Sequence, residues 1–151
     1  MVRVPVSARW LSGLGAAAFL LPVWCIAQGY GLGGVELYVF GLGCAAACAV
    51  PPFFSDSKRL RIACTVGGVV VVLVSTPFAF VGMLFLMWLY HGVGYLAFLA
   101  LPVTAVAGLV AGFQRANGPQ FGRRAAGFAW ACAAITTAGW LSITGWVSAV
   151  D

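Results

Sequence analysis

Few side chains in this 151-residue chain can do chemistry: one histidine, three carboxylates and five cysteines. His91 carries a charge that changes near neutral pH, which suits a proton relay or a haem ligand. A bis-histidine haem needs a second imidazole, and the chain has none. Glu36 is the one carboxylate at the start of a long apolar run. Acids within a membrane are costly and mark functional sites, although at a helix N-terminus the negative charge also suits the helix dipole. Glu36 and His91 are therefore the candidate reactive pair, on the outer face. The competing reading leaves each hydrated at its own helix end.

Cys25, Cys44, Cys48, Cys64 and Cys132 all fall inside apolar runs, and an odd number without regular spacing is no disulfide framework. Cys44 and Cys48 share one helical face. Redox pairs favour C-x-x-C, and a zinc site would need further ligands where no His or acid is near. The cysteines read as small apolar packing residues. Gly108 and Gly112 have GxxxG spacing, which permits a close helix crossing within the chain or with a second copy. Thr136, Thr137, Ser142 and Thr144 give the last apolar run hydrogen-bonding capacity that usually turns back on its own helix. No catalytic constellation, metal site or cofactor is expected, and no stretch reads as the motif of a known family.

The elements that carry these residues follow from composition. Hydrophobic residues make up 63% of the chain and charged ones only 7%, against roughly 25% charged in soluble domains. A soluble fold of this sequence would expose apolar patches larger than monomers tolerate. Mean hydropathy is +1.05, and lipid is the expected solvent. The net charge of +5 would suit nucleic acid if it lay on one surface patch. Instead the basic residues form three short groups: Arg3 and Arg9; Lys58, Arg59 and Arg61; Arg115, Arg123 and Arg124. Each precedes or separates long apolar runs, as cytoplasmic connectors do, so no nucleic-acid partner is expected.

Runs of about 20 apolar residues, the length that spans a bilayer, predict helices over 10–27, 35–53, 62–89, 95–113 and 125–147. The first is too long for the core of a cleaved signal peptide. Pro51 and Pro52 stop the second. Residues 62–113 contain no Lys, Arg, Asp or Glu, room for two spans and a hairpin. Tyr90–Gly94 is the expected turn, with Ser75–Pro77 as the alternative. Pro22, Pro77 and Pro102 fall inside spans and predict kinks. With five spans and a cytoplasmic N-terminus, every basic group falls inside. Tyr30, Tyr38, Tyr90, Tyr95, Trp24, Trp88 and Trp146 then mark the outer interface and Trp10 the inner one.

The expected fold is an all-α integral membrane protein, a single bundle of five transmembrane helices with the C-terminus outside. Its Ala, Gly, Val and Arg bias points to the plasma membrane of a high-GC bacterium. Its partners would be the lipid bilayer and either another membrane protein or itself. A non-enzymatic accessory or structural role leads, ahead of an oligomeric transporter or pore and of a membrane enzyme using Glu36 and His91.

Overall fold

The computed structural model describes residues 4–27, 35–89, 93–118 and 120–147, and for 26, 35–37, 78–89, 93–95, 97 and 143–147 only the backbone. The described chain forms five α-helices: α1 Val6–Ala27, α2 Val35–Ala49, α3 Ser57–Leu89, α4 Val93–Arg115 and α5 Arg123–Val147. A short 3-10 turn, Pro51–Phe53, follows α2. Each helix corresponds to one predicted span, with ends shifted by the local backbone chemistry.

The differences lie at the polar margins, where hydropathy is a poor guide to hydrogen bonding. α3 starts at Ser57, five residues before the apolar run, because Asp56 caps it. The Asp56 carbonyl accepts from the Leu60 N–H at 2.9 Å, and its Oδ1 lies 3.4 Å from the Lys58 N–H. α2 ends at Ala49 rather than Phe53. Val50 keeps helical angles, but Pro51 and Pro52 have no N–H to continue the ladder, and the chain tightens into the 3-10 turn. α3 continues through Pro77 to Leu89, which removes a turn at Ser75–Pro77. Most of the expected hairpin turn, residues 90–92, lies outside the described residues, as do Arg3, Tyr30, His91 and Asp151. Between α4 and α5, Gly122 takes a φ of +74°, a left-handed backbone that favours glycine, and its carbonyl accepts the Ala126 N–H at 2.8 Å.

Three helices are long and apolar enough to cross a membrane, over Val6–Cys25, Ser57–Pro77 and Phe98–Arg115, and Tyr38–Phe53 is a shorter apolar stretch. α1 and α4 occupy the centre. α1 packs on α2, α4 and α5, while α4 packs on α1, α3 and α5, and α2 also meets α3.

Side-chain size is inverted relative to a soluble domain. The interior is dominated by small residues such as Ala8, Ser12, Cys44, Cys48, Ala105 and Ala111. The outside carries Trp10, Trp24, Ile62, Val66, Leu73, Trp130, Ile135 and Leu141. Water would expel such a surface, whereas lipid does not distinguish it from its own chains, and close backbone approach then governs association. Gly108 and Gly112 serve that approach within the chain. They pack on Leu11, Ser12 and Ala8 of α1, so this GxxxG pair forms the α1–α4 crossing. A smaller aromatic core joins Phe19 to Phe40 edge-on at 5.6 Å and Phe40 to Phe98 stacked at 5.8 Å.

Candidate functional site

Long-range contacts gather several helix ends. The Val4 N–H donates to the Ser55 carbonyl at 3.3 Å, and the Arg9 guanidinium donates through Nε to the Pro52 carbonyl, tying the start of α1 to the turn after α2. The Ser57 hydroxyl donates to the Ala116 carbonyl at 3.0 Å, tying the start of α3 to the end of α4. Leu11, Ala111 and Ala126 form a small apolar cluster that seats the first turn of α5 there too. Arg9, Lys58, Arg59, Arg61, Arg115, Arg123 and Arg124, dispersed in sequence, therefore share one end of the bundle. Trp10, Phe53 and Phe121 are exposed at this same end.

Arg61 is the best positioned of these cations. Its Nη1 donates to Asn117 Oδ1 at 3.2 Å, and its guanidinium carbon lies 4.6 Å from the centre of the Phe113 ring. A cation over an aromatic face is attracted by the ring quadrupole, so the two contacts fix the side chain from two sides. Lys58 lies one turn away on the same face of α3. Asp56 is the nearest acid among the described residues. It sits at the helix N-terminus, where the dipole favours it, with its Oδ2 3.9 Å from Arg59 Nε. That contact is exposed and long, and adds little stability.

These residues line an open recess of about 720 Å³ formed by Asp56, Ser57, Lys58, Arg61, Ile62, Thr65, Val66, Phe113, Ala116 and Asn117. Thr65 and Phe113 also line a second cavity of about 630 Å³, which continues between α3 and α4 past Val69, Val72, Val106 and Val110. The chemistry available is recognition of an anion at the polar end and of an apolar chain along the rest.

The interior offers hydroxyls instead of charges among the described residues. Thr104 on α4 and Thr136 on α5 are buried with their oxygens 2.9 Å apart. Thr104 also reaches the Ala100 carbonyl at 2.7 Å, and Thr136 the Cys132 carbonyl at 2.8 Å. Ser12 donates to the Arg9 carbonyl at 2.9 Å and Ser75 to that of Val72 at 3.3 Å, the local back-bonding expected of helical hydroxyls. All five cysteines are free and buried. The Nε1 of buried Trp140 and the Nε of Arg115 have no hydrogen-bond partner among the described residues.

The Glu36–His91 pair is not brought into view. Glu36 is the second residue of α2, but its side chain and the whole of His91 lie outside the described residues. The recess is not legible in the sequence, because Arg61 and Asn117 are 56 residues apart and the basic groups taken alone indicate only orientation. The polar run SDSKRLR followed by apolar residues was its one available signal. Comparisons of the chain with protein-family models, with curated proteins and with solved structures give no match.

Proposed function

We propose that this chain is a multi-pass plasma-membrane protein of a high-GC bacterium. In this reading all five helices cross, with the N-terminus in the cytoplasm and the C-terminus outside. It acts without catalysis, as an accessory or structural subunit that packs with itself or with a larger membrane complex.

The one-ended distribution of the described cations supports the orientation, because cytoplasmic connectors retain Lys and Arg. Length supports the remaining two spans. At about 1.5 Å per α-helical residue and about 2.0 Å in a 3-10 turn, α2 with its turn reaches about 28 Å and α5 about 37 Å, against about 30 Å of hydrocarbon.

The packing of α1 on α4 carries the functional reading. A Cβ added to Gly15 would meet Ala105 Cα and Cys48 Sγ, each at 2.8 Å, so α1, α2 and α4 are already in contact at the bundle centre. A solute path along this axis would require those helices to separate. The large apolar side chains instead face outward on α3 and α5, available to lipid or to another membrane protein.

The test is purification of the full chain in a mild detergent without crosslinker, with the mass of the particle measured directly. A defined assembly, with itself or a second membrane protein, is expected. A monomer alone would sink the subunit reading, and solute flux into proteoliposomes of the purified chain would replace it with a carrier between protomers.

A further inference from the structure

The furrow between α3 and α4 changes character along its length. At the basic end, Lys58 and Arg61 face one recess with Ser57 and Asn117. Asn117 and Phe113 hold the Arg61 guanidinium in place. Neither Lys58 nor Arg61 has a carboxylate within ion-pair distance among the described residues, whereas Asp56 is engaged with Arg59 and the start of α3. With Asp56 the one acid in its lining, against Lys58 and Arg61, the recess is net positive. Beyond Thr65 and Phe113 the furrow is lined by Gly68, Val69, Val72, Leu73, Val106 and Val110, and the side chains of Val69, Val72, Leu73 and Val110 are exposed.

We propose that this furrow binds one anionic phospholipid, its phosphate between Lys58 and Arg61 and one acyl chain laid along α3 from Thr65 to Leu73. The inference rests on the orientation given above, which sets the basic recess at the level of the cytoplasmic headgroups. Basic pockets between transmembrane helices on that side select anionic headgroups, whose phosphate is not offset by a neighbouring ammonium as in a zwitterionic lipid. Headgroup and tail are arranged in the same order as the recess and the furrow. The stretch from Thr65 to Leu73 is about 12 Å long at about 1.5 Å per residue, close to the ~15 Å of hydrocarbon in one leaflet. Gly68 leaves room for the chain: a Cβ placed there would meet only Leu109 Cδ1, at 4.0 Å.

The purified full-length chain in detergent is titrated with phosphatidylglycerol or phosphatidylcholine, and bound lipid is counted by native mass spectrometry. Phosphatidylglycerol should be retained at least about fivefold more strongly, and the Lys58→Gln/Arg61→Gln variant should lose about tenfold or more of that retention. Arg123→Gln/Arg124→Gln removes the same charge from the same end and should leave retention unchanged. Gly68→Leu fills the furrow without touching charge and should lower retention severalfold. Equal binding of the two lipids, an equal loss in Arg123→Gln/Arg124→Gln, an unaffected Gly68→Leu, or full displacement by millimolar inorganic phosphate would each overturn the site. Labelling of cysteines placed at Ser55 and Gln120 reports orientation separately, so lost lipid selectivity with cytoplasmic labelling intact counts against the furrow alone.

Discussion

A Cβ on Gly108 would lie 2.7 Å from the carbonyl oxygen of Leu11, closer than real Cβ atoms approach backbone. α4 can sit on α1 only because that atom is missing, and the obstacle is backbone, which cannot rotate aside. Gly108→Ala should therefore push the central pair apart and destabilise the bundle by about 1–3 kcal/mol, as overpacking does. Gly127→Ala on α5, where nothing lies within 4 Å, should be neutral or slightly stabilising. Thermal unfolding in one detergent compares them, and an equal response would show that the α1–α4 approach is not tight.

Thr104 and Thr136 share three short oxygen contacts but have only two hydroxyl protons between them. At any moment two of the three bonds are made, so removing one hydroxyl lets the other donate to its own helix. A double-mutant cycle with Thr104→Val and Thr136→Val should give a coupling near 0.6 kcal/mol and below about 2 kcal/mol. Zero coupling would mean that both hydroxyls donate only to Ala100 and Cys132.

Arg9 clamps the start of α1 to the Pro52 carbonyl. Arg9→Gln should speed hydrogen exchange at Phe53 and Phe54, whose amides donate to Val50 and Pro51 within the 3-10 turn. Because the arginine is only partly buried, the global loss should be about 1 kcal/mol or less. Unchanged exchange at both amides would show that the turn holds without the clamp.

The native thiols are all buried, so a single introduced cysteine reports sidedness to an impermeant label. Ser55→Cys and Gln120→Cys should react only from the cytoplasm, and Gly31→Cys and Asp151→Cys only from outside. A cytoplasmic residue 151 would remove the five-span arrangement. Replacing Arg115, Arg123 and Arg124 together by Gln should weaken retention of their loop on the cytoplasmic side. The same labels measure that change.

Helix existence was legible because it depends on local quantities. Uninterrupted apolar length, the proline pair at Pro51 and Pro52, and the polar runs at SDSKRLR and QRANGPQFGRR mark the elements along a single strand of text. Their ends were less so, since Asp56 begins α3 through backbone hydrogen bonds to which hydropathy is blind. Which helices touch was not legible at all. In lipid, apolar residues gain little from burial against one another, and the small side chains that permit contact occur throughout the chain. Only the folded bundle turns Gly108 and Gly112 toward α1 rather than a second copy, pairs Thr104 with Thr136, and brings Arg61 to Phe113 and Asn117. The residue types that could have formed those contacts were all readable in the chain. Their partners depended on how five apolar helices fit around one another, and that fit is set by side-chain volume at each crossing.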